Sequence, residues 1–223
     1  MARGRLIVFE GGEGAGKSTQ LARLAARLNT AGLRVAAHRE PGGTPLGDEI
    51  RRLLLDPASH IVPRAEALLF MASRAQNVEQ VLRPALEAGT TVLLDRFFLS
   101  TYAYQVGGRG LPEGDVVRAN AVATSGLVPD LTVLLTLSHA EGLRRATARG
   151  GADRMEQSGD AFHGRVADAF ARFATPAWQA EHPECGPIVS IDAGGEMNAV
   201  AARVLAAVLE TCADLRAALE VPA

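Results

Sequence analysis

The sequence predicts an α/β fold, a three-layer sandwich in which helices cover both faces of a five-stranded parallel sheet. Short apolar runs, typical of buried strands, alternate along the chain with segments whose apolar residues recur at helical spacing. The first strand leads directly into a glycine-rich loop and a helix. With 48% hydrophobic content, 223 residues can bury one substantial core. We therefore expect a single domain spanning residues 1–223.

The predicted elements follow one another as parallel strands joined by crossover helices. Residues 6–8 form the first strand, and an apolar stripe over residues 21–28 forms the first helix, which Gly32 could terminate. The other predicted strands are residues 35–38, 91–94, 131–137 and 188–191. The other predicted helices are residues 46–55, 63 to about 87, about 140 to 148, 162–178, and a final helix with its stripe over residues 201–212.

The loop after the first strand matches the phosphate-binding pattern G-x-x-x-x-G-K-[ST] from Gly11 to Ser18. Chance alone gives this pattern in roughly one chain in a hundred of this length, and Lys17 is the only lysine in the chain. Glycines let backbone N–H groups approach a triphosphate, Lys17 can reach its outer phosphates, and the Ser18 hydroxyl can bind Mg²⁺. The predicted triphosphate-binding residues are Gly11, Gly12, Glu13, Gly14, Ala15, Gly16, Lys17, Ser18 and Thr19.

Two further loops follow strands at the same edge of the predicted sheet, where ligands bind in open parallel sheets. The second strand is followed by a loop that contains Glu40, and the third by Asp95 and Arg96. Asp95 can hold Mg²⁺ through water, and Arg96 offers a bidentate fork for a second phosphate. The alternative is a structural ion pair between these two neighbours, or a helix cap at Asp95.

Composition limits the partners and the location of the protein. A net charge of −2 and a pI near 6.2 argue against a protein that coats nucleic acid or an anionic membrane. The two cysteines, Cys185 and Cys212, are too few for a disulfide framework or a zinc site. No apolar run approaches the ~20 residues that a membrane span needs. We expect a cytoplasmic protein that binds neither nucleic acid nor membrane.

Several motifs occur together along nearly the whole chain. They are Phe9-Glu10-Gly11 through Gln20, Arg39-Glu40-Pro41-Gly42-Gly43, Ser73-Arg74, Asp95-Arg96, Ser100-Thr101 with Ala103-Tyr104-Gln105, Gly108-Arg109-Gly110, and Asp153-Arg154. In this combination the chain resembles the bacterial thymidylate kinases, a branch of the nucleoside monophosphate kinases among the P-loop NTPases. The resemblance implies phosphoryl transfer from ATP to dTMP, giving ADP and dTDP, with Mg²⁺ as cofactor. It also implies a homodimer packed through helices such as residues 63–87.

The resemblance further implies a dTMP site that contacts the base, the sugar and the phosphate. Phe70 would stack on thymine, with Arg74 at the base edge and Tyr104 crowding a ribose 2′-hydroxyl. The other implied members are Thr101 and Gln105 at the base, Ser100 in the same motif, Glu40 near the sugar and metal, and Arg51 and Arg96 on the acceptor phosphate. Without the resemblance, Phe70 and Tyr104 could be core residues, and Arg51 and Arg74 could be solvated helix faces.

A mobile lid is expected at about residues 148–158. In this family an arginine that stabilises the transferred phosphoryl group comes either from the phosphate loop or from the lid. Here the loop position after Glu13 is Gly14, which carries no charge, whereas the lid carries two arginines. The catalytic residues that the resemblance implies are Lys17, Arg96, Arg149 and Arg154. The alternative is that the lid arginines serve only solubility.

Two other functions remain compatible with the phosphate-binding loop. One is a kinase for a different nucleoside monophosphate, which is disfavoured only by the residues implied to bind the base. The other is a nucleotide-gated switch or assembly protein, which would bind ATP without rapid transfer to a small acceptor. Phe97 departs from the tyrosine or histidine that usually follows Asp-Arg in the family, so the contacts at this position stay open.

Overall fold

The computed structural model describes residues 3–147 and 153–220, and its centre is a five-stranded sheet. All strand pairs are parallel, in the order β2-β3-β1-β4-β5. The strands are β1 (Leu6–Gly11), β2 (Val35–Arg39), β3 (Thr91–Asp95), β4 (Leu131–Thr136) and β5 (Ile188–Asp192). The predicted α/β class is confirmed, and the predicted strands differ from these only at their ends.

Helices cover both faces of the sheet. The α-helices are α1 (Lys17–Thr30), α2 (Pro45–Leu55), α3 (Pro63–Asn77), α4 (Arg83–Glu87), α5 (Phe98–Thr101), α6 (Glu113–Thr124), α7 (His139–Thr147), α8 (Asp160–Phe173), α9 (Pro176–Glu181), α10 (Met197–Thr211) and α11 (Ala213–Glu220). Two π-helical stretches, Val78–Leu82 and Tyr102–Gly108, continue α3 and α5. Within the described ranges, every helix is too short or too polar to cross a bilayer.

The sheet is buried on both faces, which explains why its strands are nearly continuous apolar runs. Along β1, Leu6 and Val8 belong to the core on one face, and Ile7 and Phe9 belong to the core on the other. The first core is completed by both π-helical stretches together with α4, α5, α6 and α8. The second core is completed by α1, α10 and α11. Two separate cores around one sheet make the predicted three layers.

The helix predicted from residue 63 to about 87 is confirmed as one continuous rod. α3 passes without a break through the π-helical stretch Val78–Leu82 into α4. At its end the N–H of Arg83 donates to the carbonyl oxygen of Val78, five residues earlier. Pro84 follows and has no N–H to donate, so the regular ladder could not continue here in any case. Just before Pro84, the rod therefore changes from hydrogen bonds between residues four apart to hydrogen bonds between residues five apart.

The prediction of a single helix over residues 162–178 is wrong. α8 ends at Phe173, and α9 begins at Pro176. Proline pushes the residue before it out of the helical region, and Thr175 accordingly has φ −84° and ψ 137°. The sequence analysis also missed α6, α11 and the helical stretch after β3. In α6 the buried face includes Asn120 and Thr124, so no apolar stripe marks it.

Candidate active site

The carboxyl ends of β1, β2 and β3 open into one cavity of about 300 Å³. Asp95 pairs in register with Phe9 on one side and Arg39 on the other, so the three strands end level. The walls of the cavity are formed by Glu13, Gly14, Gly16, Lys17, Ser18, Thr19, Arg39, Glu40, Pro41, Arg51, Leu55, Phe70, Arg74, Asp95, Arg96, Ser100, Thr101, Tyr104, Gln105, Asp153, Met155 and Glu156. Every residue that the sequence assigned to dTMP or to the metal therefore lies on one continuous surface.

The phosphate-binding loop joins β1 to α1. Gly14 and Gly16 have φ of 70° and 86°, left-handed values that glycine adopts at no steric cost, and α1 starts directly afterwards. The Nζ atom of Lys17 donates hydrogen bonds to the carbonyl oxygens of Gly11 (3.0 Å) and Gly12 (2.8 Å). Burial, together with a neighbouring guanidinium, lowers the pKa of Lys17 from 10.5 to about 7. A phosphate bound in the loop would favour the charged form of this lysine.

Ser18 and Asp95 provide two oxygen ligands side by side. The Ser18 hydroxyl donates to Oδ2 of Asp95 at 2.5 Å, which joins the first turn of α1 to the end of β3. Hydroxyl and carboxylate oxygens beside a phosphate loop suit Mg²⁺, which prefers oxygen ligands and completes its shell with water and phosphate. Arg96 contacts Ser100 and Tyr104 rather than its neighbour Asp95, so the alternative of a local ion pair is not observed.

Glu10, which the sequence analysis did not assign to the site, holds the backbone around Arg96. It is fully buried on β1, and its Oε1 atom accepts from the N–H groups of Phe97 (2.7 Å) and Ser100 (3.1 Å). Its Oε2 atom accepts from the Ser100 hydroxyl at 2.6 Å. Arg96 has φ 72°, a left-handed conformation that costs a non-glycine residue of order 1–3 kcal/mol. The Glu10 contacts, with a bond from the Arg96 N–H to a β1 carbonyl at 2.9 Å, offset that cost.

Five cationic side chains line this cavity, Lys17, Arg39, Arg51, Arg74 and Arg96, together with the acidic Glu13, Glu40, Asp95, Asp153 and Glu156. Arg51, on α2, is half-buried, and its Nη1 atom donates to the carbonyl oxygen of Pro41 at 3.0 Å. Burial and then the like charge of Arg39 lower the pKa of Arg51. In the described contacts Lys17, Arg51 and Arg96 donate to carbonyl or hydroxyl oxygens rather than to these carboxylates, so they are available to a ligand that carries negative charge.

The two tyrosines have different environments. The Tyr104 hydroxyl lies 3.5 Å from Nη2 of Arg96 and 3.5 Å from Oε1 of Glu13, and its ring lies 5.2 Å below the Arg96 guanidinium. Burial raises the pKa of Tyr104 to about 12, so the hydroxyl stays protonated at neutral pH. Tyr102 is instead a core residue, and its hydroxyl donates to Glu184 at 2.6 Å. Of the pair, Tyr104 faces the cavity.

Arg74 is almost fully buried, with 2% of its surface exposed, so the alternative of a solvated helix face is wrong for this residue. Its Nε atom donates to Glu40 (2.7 Å) and its Nη2 atom to the Phe97 carbonyl oxygen (2.7 Å). Its Nη1 atom donates to Thr101 (3.0 Å) and to Asn120. These contacts use four of the five N–H donors of a guanidinium. One donor on Nη2 is left for a ligand, as far as the described contacts show.

Phe70 and Glu40 also line the cavity. Phe70 is half-buried one helical turn before Arg74 and borders the cavity, and it belongs to neither apolar core. Glu40 is buried, and its Oε1 atom accepts from Nδ2 of Asn77 at 3.2 Å. Burial raises the pKa of Glu40, against the opposing charge of Arg74. In this structure Glu40 therefore holds Arg74.

Arg154 does not line the cavity, although its neighbour Asp153 does. The Nη2 atom of Arg154 donates to Oε2 of Glu66 at 2.6 Å, and its Nε atom donates to a carbonyl oxygen at the end of α2 at 2.7 Å. Of the expected lid, residues 148–152, including Arg149, lie outside the described part of the chain. The catalytic roles of Arg149 and Arg154 stay predictions.

Comparisons with known proteins agree with this geometry. A family model described as thymidylate kinase matches residues 9–182. A thymidylate kinase from Deinococcus radiodurans is 50% identical over 210 residues, which cover 94% of this chain and 98% of that protein. One from Gloeobacter violaceus is 48% identical over 204 residues, which cover 91% of this chain and 93% of that protein. The resemblance inferred from the motifs is confirmed, and the chain belongs to the thymidylate kinase family.

Proposed function

We propose that the chain transfers the γ-phosphoryl group of ATP to dTMP, giving ADP and dTDP. The observation that carries this proposal is the single cavity that connects the phosphate-binding loop to the pocket formed by Phe70 and Arg74. A donor triphosphate in the loop and an acceptor nucleotide with its base in the pocket would meet beside Arg96. Such an arrangement supports direct phosphoryl transfer between two nucleotides. A nucleotide-gated switch would not need a second nucleotide pocket beside its phosphate-binding loop.

On the donor side, the loop N–H groups and Lys17 bind the phosphates, and α1 directs its N-terminus at them. Ser18 and Asp95 would hold Mg²⁺. The metal, when bound, neutralises charge that develops on the phosphate oxygens during transfer. Lys17 has to exchange its bonds to Gly11 and Gly12 for bonds to phosphate.

On the acceptor side, Arg96 and Arg51 bind the phosphate of dTMP. Both guanidiniums are already held, by Ser100 and by the Pro41 carbonyl oxygen, so little reorganisation is needed when the phosphate arrives. The acceptor phosphate is ionised at neutral pH and is itself the nucleophile. No general base is required, and catalysis consists of positioning, charge neutralisation and exclusion of water.

At the base, Phe70 stacks on thymine and the remaining donor of Arg74 bonds its O4 atom, with Thr101 and Gln105 completing the pocket. Ser100 and Glu40 line the same cavity, and Glu40 would lie near the sugar and the metal. Tyr104 would crowd a ribose 2′-hydroxyl. Its rigidity supports this role, because the side chain is buried and packs under the Arg96 guanidinium.

The lid arginines would act on the phosphoryl group during its transfer. Since Gly14 leaves the phosphate loop without an arginine, we assign stabilisation of the transferred phosphoryl group to Arg154, with Arg149 as a lesser contributor. In the described conformation Arg154 is bound to Glu66. Its catalytic role would require the guanidinium to share or exchange that partner when both nucleotides are bound.

We further propose that the protein is a cytoplasmic homodimer, with the cytoplasm supplying its ATP. α2 and α6 both pack against α3, so these helices form adjoining surfaces. They expose large apolar side chains on the outside of one layer, namely Leu46 (50% exposed), Leu53 (44%), Leu68 (63%) and Val122 (84%), beside Val62 (67%) at the start of α3. Large apolar side chains exposed on adjoining helices support an interface between two copies of the chain.

The deciding experiment measures ATP consumption against a panel of nucleoside monophosphates. We expect dTMP to be the best acceptor, dUMP a poor but detectable one, since one methyl group contributes about 1–3 kcal/mol, and dCMP, AMP and GMP to be poor acceptors. Lys17→Ala is the control, and it should abolish transfer while leaving the fold intact. A higher kcat/KM for dCMP, AMP or GMP would assign the chain to another acceptor. Tight ATP binding without transfer would support a nucleotide switch.

A further inference from the structure

Glu66 is a buried carboxylate to which none of the roles above is assigned. It lies on α3 eight residues before Arg74, so both side chains project from the same face of the helix. Its Oε1 atom accepts hydrogen bonds from Nε2 of Gln105 (3.0 Å) and Nε of Arg109 (3.0 Å). Its Oε2 atom accepts from Nη2 of Arg109 (3.1 Å) and Nη2 of Arg154 (2.6 Å). One fully buried carboxylate thus joins α3 to three other side chains.

These contacts fix which end of the Gln105 amide faces away from Glu66. Burial alone would raise the pKa of Glu66, but the donors on Arg109, Arg154 and Gln105 outweigh it and lower the pKa below its usual 4.5. The ionised carboxylate can only accept hydrogen bonds, so the amide must turn its Nε2 atom toward it. The Oε1 atom of Gln105 is then the end that Glu66 leaves unused.

Gln105 also borders the cavity, where the base is proposed to bind. Among the described residues, no hydrogen bond engages its Oε1 atom, whereas its Nε2 atom is taken by Glu66. Arg74 contributes one remaining N–H donor to the same cavity. The pocket therefore offers a base one donor from Arg74 and one acceptor from Gln105.

Building on the proposed function, we propose that Glu66 is a positioning residue that sets the preference for thymine over cytosine by holding Gln105 with its acceptor toward the base. Thymine presents the acceptor O4 next to the donor N3–H. Cytosine presents an amino donor next to the acceptor N3, the reverse pattern. The donor of Arg74 and the acceptor of Gln105 match thymine at both atoms and oppose cytosine at both. Buried polar groups that are left unpaired by the wrong base are costly, which makes such a pocket selective.

The first test replaces Glu66 by glutamine and measures kcat/KM for dTMP and dCMP. An amide at this position both donates and accepts, so it no longer dictates the orientation of Gln105. We expect the dTMP/dCMP ratio to fall by about 10- to 100-fold, with KM for ATP little changed. Glu79→Gln is the matched control, because it removes the same charge from an exposed pair with Arg83 on the continuation of the same helix. An unchanged ratio in folded Glu66→Gln overturns the proposal.

A second variant, Gln105→Leu, keeps Glu66 and its bonds to both arginines, so it avoids leaving buried charges unpaired. It should lower the dTMP/dCMP ratio as much as Glu66→Gln does. If Glu66 acts through Gln105, the double variant should lose no more selectivity than either single variant. An unchanged ratio in Gln105→Leu, or multiplicative losses in the double variant, overturns the proposal. A wild-type protein that fails to phosphorylate dTMP would instead overturn the proposed function.

Discussion

Glu10 and Glu66 are both fully buried, and each holds other residues of the site in place. Glu10 binds backbone and hydroxyl groups after Arg96, and Glu66 binds Arg109 and Arg154. Losing either carboxylate would leave several buried donors unpaired, at about 1–3 kcal/mol for each neutral group and more for a charged one. The geometry of the site therefore depends on two buried carboxylates whose hydrogen-bond donors lie tens of residues away in the chain.

The low pKa of Glu66 predicts how its contribution to stability depends on pH. The folded pKa lies below the usual 4.5, so the stabilisation is complete above that pH and is lost as the pH falls through the folded pKa. The free energy of unfolding of wild type should exceed that of Glu66→Gln at about pH 7, and the difference should shrink once the pH falls below the usual 4.5 and through the lower folded pKa. Urea unfolding at several pH values measures this, with Glu79→Gln as the exposed control. A difference that stays constant with pH would contradict the assignment.

The catalytic role proposed for Arg154 and Arg149 can be tested by replacing each arginine with alanine. Arg154→Ala should lower kcat by ~10² or more, by analogy with arginine fingers, with little change in ATP affinity. Arg149→Ala should cost less. Single-turnover kinetics with ATP and dTMP separates transfer from product release and is the appropriate measurement. Near-normal transfer in both variants would leave catalysis to Lys17, Arg96 and Mg²⁺, and it would limit Arg154 to its bond with Glu66.

Sequence could predict those site residues whose chemistry is local. The phosphate-binding loop can be recognised in the sequence because glycines, Lys17 and Ser18 must occur at fixed spacing between a strand and a helix. Asp95 and Arg96 follow from their place after a buried strand. Glu66 and Asn120 could not be predicted in the same way, because nothing near them in sequence reveals that they face Gln105 or Arg74. Their partners are brought to them only by tertiary packing.

Among the elements, the π-helical stretch Tyr102–Gly108 supplies two residues to the wall of the cavity. It turns Tyr104 and Gln105 toward the cavity while Tyr102 stays in the core. Arg165 on α8 donates to the carbonyl oxygens near its end, including that of Gly108 at 2.7 Å. π-Helical turns are rare and often occur at functional sites. Helical spacing in the sequence could not reveal this stretch, since its residues follow a different period from the α-helix.

The contact between α7 and the phosphate loop gives a prediction about an element. A Cβ atom on Gly142 would lie 2.6 Å from the carbonyl oxygen of Glu13, and one on Gly14 would lie 2.1 Å from that of Gly142. Gly142→Ala must therefore push α7 away from the loop. Overpacking costs about 1–3 kcal/mol, so we expect ATP affinity to fall by roughly tenfold or more.

Gly164→Ala on α8 is the matched control for that experiment. A Cβ atom there meets no atom within 4 Å, so the change should add up to ~1 kcal/mol of helix stability and leave ATP binding unchanged. Isothermal titration with a non-hydrolysable ATP analogue measures affinity, and thermal unfolding measures stability. Equal ATP affinity in the two variants would show that α7 tolerates displacement from the loop.

At the scale of the whole molecule, the two layers of helices are used differently. The layer of α1, α10 and α11 packs on one face of the sheet and supports the donor loop. The opposite layer contributes Arg51 from α2 and both Phe70 and Arg74 from α3 to the cavity where the acceptor is proposed to bind. The outer surface of these acceptor-side helices also carries exposed apolar residues, including Leu68 and Val122. An interface there would pack directly on the helices that are proposed to bind the acceptor.

Charged substitutions on this outer surface test whether it forms the proposed dimer interface. Val122→Glu and Leu68→Glu place a charge on side chains that are 84% and 63% exposed, so neither change should harm the folded monomer. In a homodimer built on this surface, each charge would be buried in the interface without an opposite charge to pair with, which costs several kcal/mol. We expect light scattering to detect monomers for both variants, and KM for dTMP to rise more than KM for ATP. Met197→Glu, 52% exposed on α10 in the opposite layer, should stay dimeric. A wild-type monomer, or dimers in all three variants, would rule out this surface as the interface.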